Sequence, residues 1–326
     1  MSNITGEERR RFVGASEAAS LFSTGLYEAG EKVYATRFEL WAQKSGLIDD
    51  DFAMTERMEW GNLLERGIAE GCAERFGWTI RYVDRYITHP TVDRMGCSPD
   101  FEVVNHPLGP GWLEIKNVDR YIYNSWPLVS ETDDEEFCQQ VGVPYLAKRR
   151  EPPLRLQLQV QHQLACAPNR QWAVLAILVG GNELVAIPYP RVPVSIARIE
   201  REVPMFWAEV DHEIPPPVDW EADAGTVARL YGYADELKVR NMTSDIETLE
   251  LAREFRRLGG EIRDREKRRD VLKARMLERI GDAAKVNLPE RFSISAPMVD
   301  GKEISYWRKP YRYFSVNQRK SKAQRR

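Results

Sequence analysis

A chain of 326 residues exceeds the length at which a single hydrophobic core usually stops growing, so one sizeable domain with an extension is expected. Its 43% hydrophobic and 30% charged residues, with a mean hydropathy of -0.50, read as a soluble globular protein, and no run approaches the ~18 to 20 apolar residues that a bilayer span needs. The net charge of -3 argues against a general nucleic-acid coat, yet residues 308–326 hold eight Lys or Arg and no acid, which leaves -11 for the rest: an acidic body that could collect metal, with a separate basic arm to find phosphate.

The N-terminus has charges but no apolar segment after them, so no secretion signal is expected and the chain is placed in the cytoplasm. From Gly14 to Phe22 a helix start is predicted with Ser16 as its N-cap. A second helix is predicted over 35–45, with Phe38, Leu40 and Trp41 inward and Gly46 as its stop. A third covers Met58 to Phe76, with Leu63, Leu64, Ile68 and Cys72 on one face. Strand signals follow at 79–87, 95–104 and 111–118, the last two joined by a Gly/Pro/Asn turn. Residues 119–153 carry an acidic run and a basic patch and read as a surface loop or a small excursion from the fold. Helix returns at 154–166, strand at 172–179 and 183–187, and helix at 193–211, an order that fits an α/β sandwich around one mixed sheet.

Pro215, Pro216 and Pro217 mark a break, and the first domain is bounded at 1–214 with a linker at 215–221. Over 222–284, apolar residues repeat at three and four from Val227 to Leu237 and from Leu251 to Ile280, predicting two long helices that meet as a hairpin or coiled coil. Residues 285–326 are read as a short hairpin, 292–295 with 303–307, running into the basic tail. Cys72, Cys97, Cys138 and Cys166 form no CxxC pair and read as reduced, packed thiols.

The chemistry concentrates at Ser98-Pro99-Asp100 and Glu114-Ile115-Lys116. Side chains alternate along a strand, so Glu114 and Lys116 share a face, and pairing their strand with the one bearing Asp100 gathers two carboxylates and a lysine. Phosphodiester hydrolysis asks for oxygen ligands to Mg²⁺, an activated water and positive charge on the transition state, and this set can supply all three. The bare pattern, PD followed 14 residues later by ExK, is also compatible with solvated side chains on a hairpin.

Trp60-Gly61-Asn62-Leu63-Leu64-Glu65, Gly96-Cys97-Ser98-Pro99-Asp100, Leu113-Glu114-Ile115-Lys116 and Gln159-Val160-Gln161-His162-Gln163-Leu164 stand in the order of the YqaJ-like viral recombinase family, which includes lambda exonuclease, and over residues 9–211 the chain resembles that family. The resemblance implies a PD-(D/E)xK nuclease core. It implies Asp100, Glu114 and the Ile115 carbonyl as metal ligands, with Glu65 approaching from the opposite side. Lys116 is implied to activate the attacking water and Gln159 to hold it, with Gln161 as a second candidate. Ser16, with Arg9 or one of its neighbours Arg10 and Arg11, is implied to grip a 5′ phosphate, although Ser16 is equally compatible with a plain cap. His162 reads as a packed imidazole.

The expectation is therefore a Mg²⁺-dependent deoxyribonuclease, with Mn²⁺ as a substitute, in the cytoplasm of a bacterial host. It would act as a 5′-to-3′ exonuclease on duplex ends in phage or prophage recombination, as a homo-oligomer alongside a single-strand annealing partner. An endonuclease of the same fold and a non-catalytic DNA-binding scaffold are the alternatives.

Overall fold

The computed structural model describes residues 6–23, 33–49, 55–130, 134–308 and 310–317. The chain forms two compact units that divide between Leu230 and Tyr231. In the first, the principal helices are α1 (Arg37–Lys44), α2 (Glu56–Phe76), α3 (Leu154–Cys166) and α4 (Pro193–Asp211). Five strands, β1 (Ile80–Tyr82), β2 (Phe101–Val103), β3 (Gly111–Val118), β4 (Trp172–Val179) and β5 (Glu183–Pro190), form one sheet in that spatial order. All neighbours are antiparallel except β3 and β4, which run parallel. A parallel pair needs a long crossover, and residues 119–171, containing α3, supply it. The result is the expected α/β sandwich, a mixed sheet flanked by helices.

The two faces of β3 serve different purposes. Leu113 and Ile115 join Phe101, Val103, Val174 and Ala176 against Ile68, Ala69 and Cys72 of α2. Each of the Leu, Ile, Val and Phe side chains among them, once buried, contributes ~1.5 to 3 kcal/mol. On the opposite face Trp112 packs with Val160 and Leu164 of α3, so Glu114, two residues on from Trp112, is aimed at that helix. Leu63 does not join the α2 core: it is 70% exposed, because Leu64, Ile68 and Cys72 recur at four residues and Leu63 lies about 100° off that line.

Residues 119–153 are more ordered than a loop. Short helices Arg120–Ser125 and Glu135–Val141 alternate along the chain with the strands of an antiparallel ribbon, Leu128–Ser130 with Lys148–Arg150, while residues 131–133 of the acidic run lie outside the described residues. All four cysteines are buried and free. Among the described residues no helix is long and apolar enough to cross a membrane.

The first unit extends past the proline break. Helix Ala224–Leu230 belongs to it, held by Asp223, which is fully buried, accepts from the Thr36 hydroxyl and accepts from the Asp219 amide at 2.8 Å. That helix ends at Leu230, before Leu237, and 231–245 forms no helix, so the expected pair of long helices is one helix, α5 (Ile246–Ile280). Asp245 caps α5 by accepting from the Thr248 amide at 2.9 Å. The ribbon beyond it pairs Ser293–Ser295 with Lys285–Asn287, not with 303–307. A short loop closes at lower entropic cost, and Glu290 and Arg291, both at positive φ, make the tight connection. Lys309 and residues 318–326, which carry most of the basic tail, lie outside the described residues.

Candidate active site

Register brings the acids together. Phe101 pairs with Leu113, so one step further Asp100 comes opposite Glu114. Asp100 leaves the ladder at that point and its Oδ2 accepts from the Ile115 amide at 2.7 Å. Glu114 is 2% exposed, a position where a carboxylate is costly unless fully partnered. Three donors satisfy it: Lys116 Nζ at 2.5 Å and Gln159 Nε2 at 2.5 Å on Oε1, and Gln163 Nε2 at 2.6 Å on Oε2.

The glutamines correct the expectation drawn from Gln159-Val160-Gln161. In a helix, residues four apart share a face, while residues two apart point in nearly opposite directions. Arg155, Gln159 and Gln163 thus form one row of α3, and Gln161 is turned away. Its side chain donates to the Pro190 carbonyl and accepts from the Val192 amide, each at 2.9 Å, tying α3 to the end of β5. Gln163, one helical turn beyond Gln159, was detectable from the i, i+4 spacing alone. His162 is fully buried, with Nε2 3.0 Å from the Gly96 carbonyl.

A cleft of about 740 Å³ opens over this cluster, lined by Glu65, Asp100, Glu114, Ile115, Lys116 and Gln159. Arg9 and Ser16 line it too, as do Arg57 and Arg155. Ser16 is not the N-cap: Gly14 is, and its amide donates to Glu17 Oε2 at 2.8 Å, which leaves Ser16 exposed in the first turn of a 3-10 helix, Ala15–Phe22. Arg10 faces Asp49 at 3.8 Å, and Arg11 is exposed outside the cleft lining. Arg57 and Arg155 escaped the sequence reading because their helix spacings to Glu65 and Gln159 mean little until both helices flank one cleft. Arg57 is paired with Asp119 at 2.5 Å, and the Arg155 guanidinium lies 5.1 Å from the Tyr34 ring centroid.

The YqaJ-like viral recombinase domain matches residues 7–170, half of the chain and every member of this cluster. The chain belongs to the YqaJ-like viral recombinase family. It is 27% identical over 179 residues to the uncharacterized protein YqaJ of Bacillus subtilis (strain 168), a match covering 55% of this chain and 46% of that relative. The chain thus spans about half the length of the curated relative it matches. Among solved structures it is similar to an alkaline exonuclease, LHK-Exo, from Laribacter hongkongensis, at 24% identity and a TM-score of 0.42, covering 68% of this chain and 97% of that one. A phage-related exonuclease from Haemophilus somnus 129PT shares 14% identity at a TM-score of 0.39, covering 62% and 95%. Superpositions this loose transfer no residue roles.

Electrostatics set the YqaJ-family site apart from the rest of the surface. Burial, then the neighbouring Glu114 and Glu65 carboxylates, push Asp100 well above the usual carboxylate range, with Lys116 and the Ile115 amide opposing. Burial is also the main cause that raises Glu65, and Glu114 adds to it. Burial pulls the Lys116 ammonium down, but Glu114 and Asp100 more than offset this and hold it above the ordinary lysine range. A carboxylate raised in the folded state binds its proton more tightly there than when unfolded. The metal-free protein should therefore lose stability as pH rises from the ordinary Asp value through the raised one. Asp100→Asn removes the clashing charge yet can still accept from the Ile115 amide, so at pH 8 in EDTA it should melt above the parent. Each kcal/mol recovered is read as ~2 to 4 °C. A melting point below the parent's would show that the carboxylates do not repel one another.

Proposed function

We propose that this chain is a divalent-metal-dependent deoxyribonuclease that digests duplex DNA from its ends, 5′ to 3′, in phage or prophage recombination. The observation that carries the proposal is the convergence of Asp100, Glu114, Lys116 and Glu65 on one cleft that Arg9, Ser16, Arg57 and Arg155 also line. Among the described residues no three His, Cys, Asp or Glu side chains form a ready-made metal cluster, and Glu114 already spends both oxygens on Lys116, Gln159 and Gln163. The donor chemistry nonetheless fits a hard cation: every ligand offered is oxygen, and the like-charged carboxylates raise one another's affinity for a positive charge. Asp100, Glu114 and the Ile115 carbonyl would hold Mg²⁺ or Mn²⁺, with Glu65 approaching from α2. Such an ion supplies, when bound, charge on the scissile phosphate and a more acidic water.

The chain's own groups do the remainder. Lys116, kept protonated by its neighbours, donates to the water or to the developing charge on the phosphate, and it does not act as the resting base. Gln159 fixes Glu114 from one side and lines the cleft. Arg9, Ser16, Arg57 and Arg155 offer donors suited to a terminal phosphate.

Linear duplexes, 5′ phosphorylated or not, compared with nicked and closed circles in Mg²⁺, test the reading. Mononucleotides from 5′-phosphorylated ends, with closed circles intact, are expected. Cuts in closed circles would identify an endonuclease of the same fold, and binding without cleavage a scaffold.

A further inference from the structure

Among its described residues the second unit buries none, so its apolar side chains are not spent on a core of its own. Its most unusual stretch is 306–314, where Tyr306, Trp307, Tyr311, Tyr313 and Phe314 alternate with Arg308, Lys309 and Arg312. Each of the five aromatics is at least 60% exposed. The segment is not loose from its surroundings: Arg312 donates to the Tyr231 carbonyl at 3.0 Å, and Phe314 meets Phe255 of α5 edge to face at 5.4 Å. The Arg308 guanidinium lies 3.8 Å from the Tyr311 ring centroid.

Beside Phe255 runs a groove of about 750 Å³ lined by Arg253, Arg256, Arg257 and Arg263, with no acid among the described residues of its lining. Arg257 is tied to Glu254 and Glu261. Arg253 stands three and four residues from Arg256 and Arg257, a like-charge spacing that weakens a helix. Gly259 lines the same groove beside Gly260, and mid-helix glycine weakens it again. Added Cβ atoms at either glycine would meet nothing, so close packing does not require them. Like-charged arginines and bare backbone on one helix face carry a local cost to the helix, a departure from local consistency of the kind found at ligand sites.

We infer that the second unit binds single-stranded nucleic acid, the groove arginines taking phosphates and the aromatics of 306–314 stacking on bases. Base stacking tolerates any sequence because every base has a π-face, and a cationic groove beside aromatic platforms is what such ligands need. A paired duplex hides its base faces, so the free strand is favoured. That this strand is the one spared by the nuclease rests on the proposed function; the binding does not.

Anisotropy of a labelled oligothymidylate of about 20 nucleotides, with the full chain in EDTA so that nothing is cut, tests the inference. Trp307→Ala with Tyr313→Ala and Phe314→Ala should raise Kd at least ~tenfold, and the corresponding Phe, Phe and Tyr variants should restore it. Arg253→Gln with Arg263→Gln should flatten log K against log salt by about 1.4, at ~0.7 per phosphate charge on a single strand. Unchanged Kd and slope overturn the inference, as does a chain in which these residues govern polyglutamate binding and leave the oligonucleotide unaffected. Cleavage of a short duplex by the same variants is scored separately. Oligonucleotide binding lost with cleavage kept supports the site, whereas binding intact in a chain that cuts nothing sinks only the nuclease reading.

Discussion

Glu114→Gln and Asp100→Asn should each reduce cleavage of linear duplex at least ~10³-fold, the scale of the several kcal/mol a bound cation lends a phosphoryl transition state. Duplex binding, measured in Ca²⁺, should stay within a few-fold of the parent. The two variants are expected to part company in stability. Asp100→Asn relieves repulsion and keeps an acceptor for the Ile115 amide. Glu114→Gln places an amide where Gln159, Gln163 and Lys116 all donate, so one donor faces another in a buried site. That mismatch should cost about 1 to 3 kcal/mol. Cleavage above a few per cent of the parent rate in Mg²⁺ by either variant would move the site elsewhere.

Lys116→Ala should lower kcat by ~10² to 10⁴ while leaving KM nearly unchanged, because an ammonium held against Glu114 acts on the water and the developing charge and not on ground-state affinity. The pH profile carries the sign. Glu114 and Asp100 raise the Lys116 pKa, so its proton is retained throughout the neutral and mildly alkaline range. The parent rate should show no fall from lysine deprotonation below the ordinary lysine pKa of ~10.4. An acidic limb is expected instead, from carboxylates whose protonation competes with the metal, and rising Mg²⁺ should shift it to lower pH. A change confined to KM would make Lys116 a phosphate clamp, and an alkaline limb abolished by Lys116→Ala would make it a base.

Much of the first unit was legible from local pattern. Helices Leu154–Cys166 and Pro193–Asp211 and strands Gly111–Val118 and Trp172–Val179 fall where periodicity placed them, since each segment has a period of its own and enough apolar residues to bury. The partial cases share a cause. Segments 79–87 and 95–104 break into short strands because their ends pair in separate sheets, Ile80–Tyr82 with Phe101–Val103 and Ile87–Thr88 with Gly96–Cys97. The boundary drawn at the prolines fell short of Leu230 because the burial of Asp223 against Thr36, 187 residues away, outweighs a proline signal that only reports local backbone.

By itself the sequence determined which residue types could do the chemistry, since Asp100, Glu114 and Lys116 follow from strand alternation and one turn, all local properties of the chain. It also determined the family, carried by short ordered blocks. Only the tertiary structure decided that Gln163 and not Gln161 completes the Glu114 shell, that Arg57 and Arg155 face the same cleft as Arg9 and Ser16, and that a single helix follows Leu230. Each of these depends on which face of one element meets which face of another. That choice is made by packing between residues far apart in the chain, which no local period records.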